Sequence, residues 1–457
     1  MKLDAALIRR YDSHGPRYTS YPTAVQFHSG FDEQSYRRVA FLSNAGAPRP
    51  LSIYVHVPFC AKPCFYCGCN KIITRNPVHA EQYLKRLRRE IELQGSLFER
   101  RRSVRQMHFG GGTPTYLTMA QLGGVFDHLG RHFSIDRSER REFSIEIDPR
   151  TLDANTLPTL AQFGFNRLSL GVQDFDPRVQ HAVNREQSPA QIAECMAQAR
   201  ALDYRSVSFD LIYGLPLQTV ESFGQTLDTV IGMRPDRIAA YGYAHMPRLF
   251  KAQRAIHTDQ LPDADTRLQL LALTVERLTE AGYVYIGMDH FALPDDDLAR
   301  AMRDGSLHRN FQGYSTHGDC DLIGLGVSAI GAVGTSYSQN RKDLSGYYAA
   351  LDQGRLPVER GIALSVDDVL RREVIQRLMC KGELSMREIE GRYALDFSNY
   401  FAGELVALNA LAGDGLITSD ADTIHVTERG RSLLRTIAMV FDAYLPRAAS
   451  TQFSKVI

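Results

Sequence analysis

The sequence predicts an α/β fold: an open, partial (βα)6 TIM-like barrel, with an N-terminal extension before it and a helical, winged-helix-like domain after it. Six runs dense in apolar and β-branched residues recur at long intervals, as expected for strands covered on both faces. Amphipathic helical patterns fill most of the gaps between them. Six strand–helix units are fewer than the eight that close a barrel, which favours an open one, and a doubly wound sheet also fits the pattern.

The predicted strands bring chemically distinctive residues to one place. They are Leu51–Val57, Val104–Phe109, Phe143–Ile147, Arg167–Val172, Val207–Tyr213 and Arg237–Tyr243. Functional residues of parallel βα folds gather at the carboxyl ends of the strands. Cys60 follows the first strand, Gly110–Thr113 follow the second and Asp210 lies in the fifth. We therefore expect a single shared site at that edge.

Four regions are predicted along the chain. Residues 1–50 form an extension that contributes to the site, 51–250 the barrel, 251–364 its completion and a connecting segment, and 365–457 the C-terminal domain. Winged helices often bind DNA, but the charged residues from Glu383 to Gly415 are six acidic and two basic. This excess of negative charge disfavours contacts with the phosphates of DNA. The region is therefore interpreted as a lid or packing domain.

Composition excludes several classes of protein. The chain has 457 residues, 44% of them hydrophobic, and a net charge of +1. This charge does not favour a nucleic-acid or membrane partner. The N-terminal stretch MKLDAALIRRYDSHG lacks the apolar core of a signal peptide, and no apolar run approaches the roughly 18 residues of a membrane span. The expectation is a cytoplasmic protein, with a monomer as the default state.

Cysteine spacing indicates an iron–sulfur site. Four of the seven cysteines fall within ten residues, as Cys60, Cys64, Cys67 and Cys69. A C-x3-C-x2-C triple can hold three irons of a [4Fe–4S] cluster through Cys60, Cys64 and Cys67, leaving the fourth iron open to S-adenosylmethionine (SAM), whose reductive cleavage gives a 5′-deoxyadenosyl radical. A zinc site using all four cysteines and a four-cysteine electron-transfer cluster are the alternatives. Cys69 lies too close to Cys67 for comfortable ligation, and the other cysteines receive no role.

The cysteine motif and a series of further segments resemble the radical SAM superfamily, and within it the family of oxygen-independent coproporphyrinogen III oxidases. The segments are PRYTSYPTAVQF (16–27), YVHVPFCAKPCFYCGCNK (54–71), HFGGGTPT (108–115), IEIDPR (145–150), SLGVQDFD (169–176), VNREQ (183–187), FDLIYGLP (209–216), AYGYAHMP (240–247) and RNFQGYST (309–316). The PRYTSYP element and Cys69 are typically absent from a haem-chaperone-like relative with the same barrel.

The resemblance implies a function in haem biosynthesis. The family decarboxylates the propionates on rings A and B of coproporphyrinogen III to vinyl groups without oxygen, giving protoporphyrinogen IX. It uses one SAM per propionate and holds two SAM molecules in one site, with electrons from a donor such as a flavodoxin or ferredoxin system. A haem-binding or haem-transfer protein on the same fold is the alternative, and an iron–sulfur regulator using the winged-helix-like end is a third hypothesis.

The resemblance also implies site residues. The first SAM would contact Tyr54, Gly111, Glu146 and Ile330. The second would contact Tyr66, Gly112, Thr113, Gln173, Arg185, Asp210 and Ala244. His56 and Cys69 match positions that the family needs for activity, and with Glu146 they are the candidate catalytic residues.

The chemistry of these residue types agrees with such ligands. Glycines after a strand allow close approach of a ligand to the backbone, and the Lys–Ser/Thr of a phosphate loop does not follow them. Glu146 and Asp210, if buried, need a cation or a hydroxyl as partner. Arg185 could hold a carboxylate with two hydrogen bonds. Arg17 and Arg309 are candidates for binding the anionic rim of the substrate.

Overall fold

The structure is a computed structural model that describes residues 3–11 and 13–445. Residues 446–457, the end of the predicted C-terminal domain, lie outside the described residues. The six predicted strands are confirmed, with ends that differ by at most two residues. They are β1 (Leu51–Val57), β2 (Ser103–Gly111), β3 (Glu142–Ile147), β4 (Arg167–Gln173), β5 (Ser206–Tyr213) and β6 (Arg237–Gly242).

The sheet has one more parallel strand than the sequence pattern predicts. This strand, β7 (Asp321–Leu325), pairs in parallel with β1, so that Leu51 lies opposite Asp321. Each of β1 to β5 is hydrogen-bonded to the next one along the chain. A doubly wound sheet would reverse its strand order part-way, so this sequential order is that of a barrel.

Antiparallel strands flank the parallel ones at both edges, and the barrel stays open. Beyond β6 lies the hairpin of Val284–Gly287 and His290–Ala292. Beyond β7 lie Ile330–Val333, Ser336–Asn340 and Val358–Ala363. Three short pairings complete the barrel region: Phe59–Cys60 with Ile72–Ile73, Ser134–Ile135 with β2, and His308–Asn310 with Gly313–Ser315.

Helices cover the outside of the sheet. They are Pro77–Gly95, Met119–His132, Thr156–Gln162, Pro177–Ala182, Pro189–Ala201, Val220–Met233, Ala264–Glu280, Asp297–Asp304 and Leu344–Asp352. Their starts follow from the sequence: Thr118, Ser188 and Thr219 each form a capping box with the residue three positions later. Their apolar faces pack on the sheet, as Leu87 and Ile91 do with no exposed surface. None of the helices in the described part of the chain is long and apolar enough to cross a membrane.

The terminal regions pack against the barrel and against each other. The N-terminal extension contains the helices Ala5–Tyr11 and Glu33–Leu42. The C-terminal region has the expected winged-helix-like order: Val366–Lys381, strand Glu383–Ser385, helices Met386–Tyr393, Phe397–Tyr400 and Ala402–Gly413, strands Ile417–Ser419 and Thr423–Val426, and helix Leu434–Met439. The Gln376 side chain hydrogen-bonds to both backbone groups of Arg309, at 3.2 and 2.8 Å, which joins the C-terminal region to the barrel region. Tyr18 Oη donates to Asp442 Oδ2 at 2.9 Å, which joins the two terminal regions.

Candidate active site

Two adjoining cavities open at the carboxyl ends of the barrel strands. The larger, of about 410 Å³, is lined by Cys60, Cys64, Cys67, Cys69 and inward-facing polar residues of β2 to β6. The smaller, of about 370 Å³, is lined by Tyr54, His56, Ile330 and their neighbours. His108, Glu146, Tyr241 and Gln312 line both cavities. The predicted gathering of functional residues at this edge is thus present.

The cysteine loop joins two short parallel strands that fix its ends, Phe59–Cys60 and Ile72–Ile73. Each of the three predicted ligands accepts a hydrogen bond. Thr113 Oγ1 donates to the Cys60 sulfur at 3.4 Å, Arg150 Nη2 to that of Cys64 at 3.4 Å, and the Cys69 backbone N–H to that of Cys67 at 3.4 Å. Such donors stabilise thiolates and tune any cluster that the sulfurs carry.

The thiols of this loop differ in acidity. A hydrogen bond from the Cys69 thiol, helped by Lys71, lowers the pKa of Cys67 to about 5. Burial raises the pKa of the Cys60 thiol to about 11. The same Cys67–Cys69 contact, together with burial, raises the pKa of Cys69. Cys69 therefore lies beside the predicted ligands as a protonated donor, consistent with its assignment as a non-ligand near the site.

Glu146 is held at the wall between the two cavities. Its Oε2 accepts the Gly111 backbone N–H at 3.0 Å, and its Oε1 lies 3.1 Å from His108 Nε2. Burial opposes ionisation, but these two contacts lower the pKa of Glu146 overall. Gly111 has φ +112°, and a Cβ there would lie 2.6 Å from the His56 ring, so only glycine fits. An ionised carboxylate thus faces the cavities.

Tyr54 and His56 form a second polar pair in the smaller cavity. His56 Nε2 lies 2.9 Å from the Asn70 carbonyl oxygen, and its Nδ1 lies 3.0 Å from Tyr54 Oη. Burial lowers the pKa of His56, which favours the neutral ring. Since a carbonyl only accepts, Nε2 donates to Asn70 and Nδ1 accepts from the Tyr54 hydroxyl.

Arg185 and Asp148 form a buried ion pair behind Cys64. Arg185 Nη1 donates to Asp148 Oδ2 at 2.8 Å and Nη2 donates to the Gly171 carbonyl at 2.7 Å, while its Nε has no partner among the described residues. Arg150 also donates to Asp148, at 2.7 Å. A Cβ on Gly171 would lie 2.7 Å from the Arg185 guanidinium. Two arginines thus share one aspartate, which leaves positive charge beside the cavity.

Asp210 is the least satisfied acid of the larger cavity. Among the described residues its one hydrogen-bond donor is Ser169 Oγ, at 2.9 Å. Burial, with the nearby charge of Glu146, raises the pKa of Asp210 to about 7. A neutral or ionised Asp210 can therefore exist near neutral pH, and either form has bonding capacity left for a ligand.

The structure brings together nearly all of the predicted SAM contacts. Tyr54, Glu146 and Ile330 of the first set line the smaller cavity, while Gly111 lines the larger one. Six residues of the second set line the larger cavity: Tyr66, Gly112, Thr113, Gln173, Arg185 and Asp210.

Ala244 lies apart from the other members of its set. It lines a third cavity, of about 310 Å³, with Arg17, Tyr243 and Arg267. Its carbonyl accepts from Gln253 Nε2 at 3.1 Å, and the same Nε2 is 2.9 Å from the Tyr66 carbonyl. Ala244 therefore connects to the larger cavity through the Gln253 side chain.

The two arginines suggested for the substrate rim have different surroundings. Arg17 forms an ion pair with Asp289 and lines the third cavity. Arg309 is buried, with 3% of its surface exposed; its Nε donates to the Arg17 carbonyl at 3.2 Å and its Nη1 has no partner in the described structure. Neither lines the cavity of the cysteines.

Sequence reasoning gave no role to His108 and Arg150, which both contact site residues. His108 lies inside a strand, where a single histidine is more often a core residue. The one available signal was the alternation of Gln106, His108 and Gly110 on the face of β2 that also carries the glycine turn.

The donor set fits an iron–sulfur cluster. Three sulfurs of one loop line one cavity, and each has a hydrogen-bond donor. Thiolates are the ligands that iron–sulfur clusters take, and C-x3-C-x2-C leaves one iron without a protein ligand. Among the described residues, His108 and His290 are the histidines that line this cavity, and His108 is engaged with Glu146.

Comparison with known proteins now decides the family. The radical SAM superfamily pattern matches residues 54–230, and that of the HemN C-terminal domain matches residues 364–433. The oxygen-independent coproporphyrinogen III oxidase of Pseudomonas aeruginosa is 51% identical over 460 residues, which cover 100% of this chain and 99% of the relative. That of Escherichia coli K12 is 49% identical over 99% of this chain and 98% of the relative. The chain belongs to the oxygen-independent coproporphyrinogen III oxidase family.

The fold agrees with this membership. The solved structure of coproporphyrinogen III oxidase (HemN) from Escherichia coli, described as a radical SAM enzyme, matches with a TM-score of 0.92 and 48% identity. The match covers 97% of this chain and 100% of that one. The resemblance and the fold class predicted from sequence are confirmed. Membership of the radical SAM superfamily implies a [4Fe–4S] cluster and SAM.

Proposed function

We propose that this chain decarboxylates the ring A and B propionates of coproporphyrinogen III to vinyl groups, giving protoporphyrinogen IX without oxygen. Each propionate loses one hydrogen atom, CO2 and one electron, and the electron passes to an external one-electron acceptor. Full-length identity of 51% to an enzyme of that name supports this activity. The observation that carries it is the row of three hydrogen-bonded cysteine sulfurs on the wall of a polar barrel cavity.

Cys60, Cys64 and Cys67 would hold the [4Fe–4S] cluster. When bound, the cluster supplies the electron that cleaves SAM to methionine and the 5′-deoxyadenosyl radical. The protein's part is to bind and orient. Thr113 and Arg150 donate to the sulfurs, and the Asp148–Arg185 pair keeps a second guanidinium against Cys64, 3.6 Å from its sulfur.

Two SAM molecules would occupy the adjoining cavities, in agreement with the two sets of contacts. Glu146, ionised and at the shared wall, suits the ammonium group of one SAM, with Tyr54, Gly111 and Ile330 around it. Asp210, Gln173 and Arg185 suit the polar groups of the other, with Tyr66, Gly112 and Thr113 beside them. Ala244 would take part through the Gln253 side chain. His56 and Cys69 would act beside the reacting groups, as a neutral imidazole and a thiol donor.

The remaining assignments concern the cell. We expect a monomeric cytoplasmic enzyme that receives electrons from a flavodoxin or ferredoxin system. Its substrate is a small porphyrinogen, and neither nucleic acid nor membrane is expected as a partner. The domain limits 1–50, 51–250, 251–364 and 365–457 stay part of this proposal.

The test is an anaerobic assay of the reconstituted protein with coproporphyrinogen III, SAM, dithionite as the electron donor and an added one-electron acceptor. We expect protoporphyrinogen IX and 5′-deoxyadenosine, and neither product from Cys64→Ala. Cys320→Ala is the matched control, because the Cys320 thiol donates to Asp319 and Cys320 lines neither of the two cavities; it should keep wild-type rates. Haem binding by wild-type protein without turnover would instead favour the haem-transfer alternative.

A further inference from the structure

His108 stands at the junction of the two cavities and contacts residues on three sides. Its ring lines both cavities, its Nε2 lies 3.1 Å from Glu146 Oε1, and its Nδ1 lies 2.6 Å from Ser144 Oγ. The ring is nearly parallel to that of Tyr54, with centroids 5.8 Å apart and an interplanar angle of 14°. Neighbouring residues therefore fix the position of the ring and occupy both of its nitrogens.

The two nitrogens have different roles. An ionised carboxylate only accepts hydrogen bonds, and the pKa of Glu146 is lowered, so His108 Nε2 is the donor of that contact. In the neutral ring with its proton on Nε2, the Ser144 hydroxyl donates to Nδ1. Its other acceptor, the Met107 carbonyl, is more distant at 3.4 Å. Ser144 thus fixes the tautomer of His108 that can hold Glu146.

The same contacts connect four predicted site residues. Glu146 Oε2 is held by Gly111, so the N–H of His108 determines the rotation of the remaining oxygen. Tyr54, under the imidazole ring, is itself hydrogen-bonded to His56. No other described side chain touches both Tyr54 and Glu146 in this way, through a ring stack and a hydrogen bond.

We propose that His108 is a positioning residue that orients Glu146 toward bound SAM and maintains the wall between the two cavities. This rests on the proposed function, in which Glu146 binds SAM. Loss of the His108 N–H would let the carboxylate rotate and weaken SAM binding. Loss of the ring would open the wall, so that SAM is cleaved without a correctly placed propionate.

Two variants separate these roles. His108→Phe keeps an aromatic ring on Tyr54 and removes the donor to Glu146. His108→Gln keeps a donor and removes the ring. Ser144→Ala leaves both in place and removes only the group that fixes the tautomer. His181→Gln is the matched control, because its side chain is 84% exposed on a surface helix.

The experiment measures the apparent KM for SAM and the ratio of 5′-deoxyadenosine to vinyl groups formed, with iron content and the cluster spectrum checked for every variant. We expect His108→Phe to raise the KM for SAM about tenfold, the effect of losing a hydrogen bond to a charged group. His108→Gln should have a smaller rise in KM but a higher ratio of 5′-deoxyadenosine to vinyl groups. Ser144→Ala should raise the KM a few-fold.

Wild-type KM and wild-type ratio in both His108 variants would overturn the proposal. Equal loss of activity in both, with reduced iron content and an unchanged KM for SAM, would also overturn it, since that pattern means a structural role. The proposed function fails separately, if wild-type protein makes no protoporphyrinogen IX. SAM cleavage measured without porphyrin still reports on His108 in that case.

Discussion

The buried acids of this molecule differ in how completely the protein satisfies them. Glu90 belongs to the helix Pro77–Gly95 and faces the helix Leu344–Asp352 and the sheet, with no exposed surface. It accepts three hydrogen bonds: from Tyr347 at 2.6 Å, Asn340 at 2.6 Å and the Gly326 backbone at 2.7 Å. Asp210, half-buried and facing the larger cavity, accepts one from the described residues, from Ser169.

The difference separates structural acids from ligand-binding ones. Unsatisfied polar groups are costly when buried, so the protein completes the shell of Glu90 with its own donors. Tyr83 stacks on Tyr347 and donates to the His56 carbonyl at 2.6 Å. The residues around Glu90 are thereby connected to the candidate active site. Asp210 keeps free bonding capacity, which bound SAM would use under the proposed function. Incomplete satisfaction beside a cavity is thus the better indicator of function than burial.

Removal of Glu90 should have the largest effect on stability. Glu90→Leu leaves three buried donors without an acceptor, at about 1–3 kcal/mol each, and we expect the free energy of unfolding to fall by about 3 kcal/mol or more. Anaerobic denaturant unfolding measures this. Glu81→Leu, an exposed position on the same helix, is the control and should change little. A decrease of less than about 1 kcal/mol in the free energy of unfolding would contradict the assignment of Glu90 as a structural acid.

The pH dependence of stability should identify Glu90 in a second way. Burial raises its pKa to about 7 from 4.5. Between these values the native state binds more protons than the unfolded state, so this carboxyl's contribution decreases as pH rises from about 5 to 7, by up to about 3 kcal/mol. Glu90→Gln should lack that decrease. Parallel curves of unfolding free energy against pH for wild type and Glu90→Gln would contradict the assignment.

For Asp210 we expect the opposite pattern: substitution should change the free energy of unfolding little and lower the catalytic efficiency. Asp210→Asn can still accept from Ser169, so the free energy of unfolding should stay within about 1 kcal/mol of wild type. At pH 8, above its pKa of about 7, we expect kcat/KM for SAM to fall about tenfold, which corresponds to about 1.4 kcal/mol. Steady-state kinetics at pH 8 and denaturant unfolding, each measured on wild type and Asp210→Asn, test this expectation. Unchanged kcat/KM would place Asp210 with Glu90 as a structural acid.

Sequence patterns predicted the six barrel strands because each is a compact apolar run followed by a helix. They did not predict β7, Asp321–Leu325, because two hairpins and the helix Asp297–Asp304 interrupt the strand–helix alternation before it. The pairing of β7 with β1 joins two segments that are far apart in the chain, and no local sequence pattern predicts such a pairing.

The residues of a local motif could be predicted from the sequence. Residues whose role depends on contacts with distant parts of the chain were harder to predict. The spacing of Cys60, Cys64 and Cys67 specified three sulfurs on one loop, and the structure places them on one cavity wall. Glu90 sits in the charged stretch KRLRREIELQ, where a buried acid looks like its solvated neighbours. His108 looks like a core residue until Glu146 and Tyr54, from two other strands, are placed beside it.

The pairing of β1 has a consequence for synthesis of the chain. One edge of β1 bonds to β2, about fifty positions later, but its other edge waits for β7, whose residue Asp321 lies 270 positions after Leu51. Domains form from the N-terminus as the ribosome proceeds. An exposed strand edge is a template for aggregation. The nascent polypeptide therefore carries the unpaired edge of an apolar strand, next to the cysteine loop, until about seven-tenths of the chain has been translated. During this period we expect chaperone binding to matter most.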